Sequence, residues 1–312
     1  MKKMTSAIAL LSALLLAPLG SAPAQAQKKI TFGHQQVFDL APVLLAQDKG
    51  FFAKHGIEVA LKPIPLNSQN PAALEAGEVD IAMPTASVLL QAVNGGLDLV
   101  AVAGFSETVK TDSNFGIVVR PESNIKTPAD FVGKKVGVPG LNAFLHVMFR
   151  EWLTMKGVDW KKVQFVETVF PQMEGILKAG SVDAVVAIQP FMARIVGSKT
   201  GELMAHFIRD MPAGMSITVF ASKKAWADKN QDVIKAFRAG FDEGAAYAHA
   251  HPDEARATVA KFLKLPPPAV AAVSIPQFGS KLTENSLAPW VSIMKSQGMI
   301  RGNVDLKSVI VP

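Results

Sequence analysis

The sequence predicts an α/β protein of two lobes, each a mainly parallel sheet flanked by helices, with two crossover strands forming a hinge. Three observations carry that expectation. The phrase "LEAGEVDIA" (residues 74–82) returns as "LKAGSVDAVVA" from Leu177, so that a shared Ala-Gly-x-Val-Asp stands 103 positions further along. Around both copies, short apolar strands alternate with helices in the same order, which is how parallel strands covered on both faces read. Two similar extended stretches, "FGIVVRPES" (115–123) and "SITVFASKK" (216–224), bracket the second copy.

Taken in order, "KKITFG" (28–33) opens as a strand and "HQQVFD" follows as a polar loop. The helix "LAPVLLAQDKG" stops at Gly50, where a glycine can adopt the left-handed turn that closes a helix. "IEVALKPI" is a second strand, and "PLNSQN" leads to the helix "PAALEAG", with Pro71 suited to its first turn. "VDIAMP" is the third strand. The second copy repeats this plan with the strand "KKVGVPG" (134–140) and a helix whose Leu145, Met148, Trp152 and Met155 share one face. The strand "VQFVETV", the helix "PQMEGILKAG" and the strand "VDAVVAIQP" complete it. Beyond Lys224 the chain turns helical, with Val233, Phe237 and Phe241 spaced by four, then Pro266-Pro267-Pro268 and a last helical stretch. This organisation predicts residues 27–118 and 219–312 as lobe 1, with 119–218 inserted as lobe 2. Residues 1–26 are expected to be a signal peptide. Lys2 and Lys3 precede an apolar run too short to span a bilayer, and "AQA" supplies a small-residue cleavage site after Ala26.

The 312 residues are 49% hydrophobic, enough for folded cores, and 19% charged. Cysteine is absent, which removes disulfides, thiol nucleophiles, thiolate metal sites and a lipid-bearing cysteine anchor. The formal charge of +6 becomes +4 once Lys2 and Lys3 leave. Basic residues come as scattered pairs without an aromatic ladder, so a nucleic-acid track is not expected and a mild attraction for anions is.

Several segments carry a family resemblance. "LAPVLLAQDKGFFAKHGIEV", "LEAGEVDIA", "IKTPADFVGKKVGVPG" and "VDAVVAIQPF" resemble the substrate-binding proteins of bacterial ABC importers, in the branch for sulfonates, taurine, nitrate and thiamine-precursor pyrimidines. The resemblance implies the two-lobed type II periplasmic-binding fold, a ligand cleft between lobes, and handover to an inner-membrane permease driven by a cytoplasmic ATPase. It implies a monomer in the periplasm with no cofactor.

Open parallel sheets bind ligands beyond the carboxyl ends of their strands, where helix starts favour negative charge. The corresponding loops offer His34, Gln35, Gln36 and Phe38 after the first strand, and Thr85 and Ser87 after the third. In the second lobe they offer Gly140, Leu141, Asn142, Ala143 and Phe144, then Gln189 and Phe191. Asn67 and Phe170 stand at the rim. Many relatives place Trp and an acid before the proline that here follows Ile188-Gln189. A neutral Gln189 removes the partner of a ligand ammonium, so a small organic anion, an aromatic or aliphatic carboxylate or sulfonate, is expected.

Gly-x-Ser-x-Gly, His-Glu-x-x-His and phosphate-loop patterns do not occur. His249 and His251 are two apart and project from different sides of a helix, which does not make a metal pair. A binder is expected rather than an enzyme. The alternatives are an exported enzyme or sensor subunit using the same cleft, or a binder of a pyrimidine or thiamine-precursor ligand.

Overall fold

The structure, a computed structural model, describes residues 27–271 and 273–312. The signal-peptide expectation for residues 1–26 lies outside them.

The first run of elements is β1 (Lys28–His34), α1 (Ala41–Asp48), α2 (Phe51–Lys54), β2 (Ile57–Pro63), α3 (Asn70–Glu75), β3 (Ile81–Ala82), α4 (Ala86–Asn94) and β4 (Leu99–Glu107). The second is β5 (Phe115–Val119), β6 (Lys135–Val138), α5 (Phe144–Met155), β7 (Gln164–Glu167), α6 (Met173–Lys178), β8 (Ala184–Ile188), α7 (Phe191–Gly197) and β9 (Glu202–Ala205). The chain closes with β10 (Ser216–Lys223), α8 (Lys224–Lys229), α9 (Gln231–Ala250), α10 (Pro252–Leu263), β11 (Gln277–Phe278), α11 (Glu284–Ser296) and α12 (Leu306–Val309).

Two sheets result, and they share one plan. The first runs β2-β1-β3-β10-β4-β11 and the second β7-β6-β8-β5-β9. In each, the first three strands are parallel and the fourth place goes to an antiparallel guest, β10 or β5. The sheets are therefore mixed. The guests are the two extended stretches that bracket the second copy. Each arrives directly from the other sheet, without the helical crossover that would turn it parallel.

The repeated phrase has a structural explanation. Gly77 and Gly180, at φ +67° and +68°, end α3 and α6 in the left-handed turn that glycine adopts without penalty. Three residues later the aspartate ties that turn to the first strand of its own sheet. Thr31 N donates to Asp80 Oδ2 at 2.7 Å, and Lys135 N donates to Asp183 Oδ2 at 2.9 Å. The aspartates' own amides return the bond, to Thr31 O at 2.9 Å and Lys135 O at 2.8 Å. Both clamps sit just ahead of β3 and β8, on Thr31 midway along β1 and on Lys135 at the start of β6, at the other end of β3 and β8 from the loops expected to hold a ligand.

The chain passes between the sheets over residues 108–114 and 206–215, just ahead of β5 and β10. The two crossings are bound to each other through buried Thr108. Its N–H donates to Met215 O at 2.9 Å, its carbonyl accepts from Gly214 N at 2.9 Å, and its hydroxyl donates to Pro212 O at 2.7 Å. The C-terminal helices return to the first sheet. On α9, Val233, Phe237 and Phe241 are buried as their spacing predicts, beside Phe32, Phe105 and Phe220. A methyl on Gly244 would stand 2.2 Å from Pro42 O, so the closeness of α9 to α1 depends on that glycine. On α5, Leu145, Met148 and Trp152 are buried, whereas Met155, in the last turn, is 52% exposed and departs from the expected stripe.

Candidate functional site

The strand-end loops of the first sheet are knotted by one side chain. Buried Asn67 donates through Nδ2 to Gln35 Oε1 at 3.0 Å and to Met83 O at 3.2 Å, while its Oδ1 accepts from Thr85 N at 2.8 Å. One amide thus joins the loops after β1, β2 and β3 and leaves little of its own polarity unmet, as burial requires.

These loops face their counterparts across a narrow gap. Thr85 Oγ1 accepts from Phe144 N at 3.3 Å and lies 3.2 Å from Ser87 Oγ. Ser87 Oγ donates to Asn142 O at 2.9 Å, and Ser68 Oγ donates to Glu167 Oε1 at 3.0 Å. The same Glu167 oxygen accepts from Leu141 N at 2.7 Å. Asn142 holds a left-handed turn at φ +62°, which Asn tolerates better than most residues. Its Oδ1 accepts from Arg150 at 3.3 Å, and its N–H donates to His146 Nδ1 at 2.8 Å. The start of α4 thereby meets the start of α5. Behind this contact, buried Trp290 of α11 lies 5.9 Å from the Phe144 ring and satisfies its indole N–H on Ser216 O at 2.7 Å.

Between the loops lies a cavity of about 70 Å³, space for a few water molecules or a very small solute in this arrangement of the loops. Its walls are mostly apolar. Phe115, Ile217 and Thr218 come from the guest strands, Val37, Pro65 and Met83 from the first lobe's loops, and Pro139, Phe144, Val169, Phe170 and Ile188 from the second's. Phe144 lies edge-on to Phe115 at 5.1 Å, and Phe170 stacks on Phe191 at 5.8 Å with the rings 8° apart. Phe170 touches all three apolar cores of the molecule. The polar lining is Gln35, Asn67, Thr85, Thr218 and Asp39. No lysine, arginine or histidine is among these lining residues. Burial pushes the Asp39 carboxyl up to about 7, with the charge of nearby Asp112 adding to the effect.

Six of the fifteen residues singled out from the sequence line this cavity: Gln35, Asn67, Thr85, Ala143, Phe144 and Phe170. His34 and Gln36 line an adjoining space of about 170 Å³ instead. Burial lowers the His34 pKa, so the ring is neutral near pH 7 and is packed edge-on to Phe262 at 5.5 Å. Phe38 points into the core of the first lobe, because the short 3-10 turn at 38–40 rotates it away from the gap. Ser87 stands behind Thr85, spent on Asn142. At Gly140 an added Cβ would stand 3.0 Å from Ala143 Cβ in its own loop and in ordinary contact with Asn67 Cβ at 3.6 Å across the gap. Leu141 is exposed. Gln189 Oε1 accepts from Ala193 N at 3.1 Å within α7, and Phe191 is buried beneath Phe170. Eleven lining residues were passed over, among them Asp39, Val37, Phe115, Ile217 and Thr218. An acid in a loop at a helix start was the available signal for Asp39; the guest-strand residues offered none. Among the described residues, no three His, Asp or Glu converge to hold a metal.

Residues 37–255 match the NMT1/THI5-like family. A putative thiamine biosynthesis protein of Haemophilus influenzae is 32% identical over 221 residues, 70% of this chain and 67% of that protein. The formylaminopyrimidine-binding protein of Halalkalibacterium halodurans is 25% identical over 217 residues, 68% of this chain, and the chain spans 63% of that relative's length. The solved alkanesulfonate-binding protein SsuA of Xanthomonas axonopodis pv. citri superposes with a TM-score of 0.79 at 17% identity, covering 91% of this chain and 98% of that one. The fold is that of the periplasmic binding proteins.

Proposed function

The chain belongs to the NMT1/THI5-like family, and from that premise we propose that it is the solute-binding component of an ABC importer. It captures a small organic molecule between its lobes in the periplasm and presents the closed form to an inner-membrane permease with its ATPase. The observation that carries this reading is the shared cavity: loops at the strand ends of both sheets line one space, Ser87 and Ser68 donate hydrogen bonds to the opposite loops, and Thr85 accepts one from Phe144 N. A solute touching both sides stabilises the closed arrangement over any open one, since only differential affinity shifts such an equilibrium. A binder is favoured over an exported enzyme because two of the proteins it resembles, the formylaminopyrimidine-binding protein and SsuA, are binding proteins by name.

Two solute classes compete. The helix starts at the gap favour an organic carboxylate or sulfonate, as the sequence suggests. Asp39 favours a ligand that donates hydrogen bonds, which fits the nitrogenous-ring alternative. The test is a thermal-shift screen of purified protein against both classes, with hits recovered after denaturation. A ligand at 100 times its Kd adds about 2.7 kcal/mol of stability and raises Tm. Unchanged recovery supports a binder; steady conversion of the compound supports the exported-enzyme alternative.

A further inference from the structure

Asp39 is the ionisable side chain of the cavity lining, and it stands without a partner. It is 5% exposed, and its carboxyl takes no hydrogen bond from any described residue. Of the other polar residues in the lining, Asn67 is bonded to Gln35, Met83 and Thr85, Gln35 donates to Ile64 O, and Thr85 accepts from Phe144 N, while the Thr218 hydroxyl makes no hydrogen bond to Asp39. The other charge that reaches Asp39 is Asp112, of the same sign. Burying an ionised carboxylate with neither donors nor a counter-charge is costly, and folded proteins supply such partners when they can. Here the side open to a partner is the cavity.

We propose that Asp39 is the residue that selects the solute, and that the solute is a small organic base: an amino group or protonated ring nitrogen on a compact apolar body. This deepens the reading of the cavity as a solute site and rests on it. A donated N–H removes the isolation of the carboxylate through a charge-assisted bond, stronger than a neutral one. A carboxylate or sulfonate at the same place adds a like charge to a wall whose described residues include no lysine, arginine or histidine. The recognition is divided between lobes. Asp39 belongs to the loop after β1, whereas Phe144 and Phe170 belong to the second sheet's loops and supply flat apolar walls. A base with an apolar ring touches both, which is what closure requires.

The test is calorimetry at pH 8 with benzylamine and benzoate, which match in size and differ in charge, on the wild-type chain, Asp39→Asn and Phe170→Ala. Asn keeps the volume of Asp and preserves the fold. Wild type is expected to prefer benzylamine. Asp39→Asn is expected to weaken benzylamine about 10- to 100-fold while improving benzoate, and Phe170→Ala to weaken both probes. Preference for benzoate in wild type, or benzylamine binding that Phe170→Ala weakens and Asp39→Asn does not, overturns the role of Asp39 and leaves the cavity reading standing. Binding of neither probe, or binding that neither substitution alters, overturns the proposal together with the cavity reading.

Discussion

Asp39→Asn makes a stability prediction that needs no ligand. The carboxyl's pKa is about 7 in the folded chain against an ordinary 3.8, because burial and Asp112 both disfavour its charge. The folded state therefore holds this proton more tightly than the unfolded state. Stability from Asp39 is fully present below about pH 4 and is lost as pH rises through 7. The gap of about 3 units, at about 1.4 kcal/mol each, sets a ceiling near 4 kcal/mol. Asn does not titrate, so Asp39→Asn should gain up to that amount relative to wild type between pH 4 and pH 8. Urea unfolding of both proteins at intervals across that range measures it, with unchanged slopes reporting unchanged exposure on unfolding. Other titrating groups, Asp112 and His34 included, are common to both proteins, so the difference isolates Asp39 to first order. A difference that stays constant within about 0.5 kcal/mol from pH 4 to 8 refutes the claim that this carboxyl is isolated.

Three further substitutions test the scaffold by the same unfolding measurement. Asp80→Ala and Asp183→Ala each leave a strand amide without its acceptor and should each cost about 1–2 kcal/mol, adding when combined because the clamps lie in different sheets; no loss in either sinks the account of the repeat. Gly244→Ala drives a methyl toward Pro42 O and should cost about 1–3 kcal/mol by prising α9 from α1; a neutral result means that packing is looser than described. His146, held neutral by burial and the charge of Arg150, has a pKa near 3, so stability should fall as pH drops from 6.5 toward 3. His146→Gln should flatten that acid limb, and an unchanged limb contradicts the assignment.

The parts of the fold legible in the sequence were those set by local chemistry. Glycine at a helix end followed by Val-Asp reads the same way twice because the same turn and clamp are built twice. Phe237 and Phe241 were legible because a helix repeats its buried face every three to four residues. What escaped was set by the third dimension. β4 is buried along nearly its whole length, so it shows an apolar run without the alternation that marks a strand. The guest positions of β5 and β10 depend on the chain crossing between lobes, and with them the places of Phe115, Ile217 and Thr218 in the cavity. Phe38 and Phe144 both stand in loops at helix starts, yet a single 3-10 turn sends one ring to the core while the other lines the gap. Gln189 drew notice as a neutral residue near the cleft, but α7 uses its oxygen as a cap. The acid of the cavity wall lies instead at Asp39.

A crystal structure of the chain grown with benzylamine tests the central claim most directly. Density for the amine should lie between the two sheets, its nitrogen within hydrogen-bond distance of Asp39 and its ring against Phe144 and Phe170. Density elsewhere, such as the surface groove of about 520 Å³ beside Glu107 and Lys281, contradicts it.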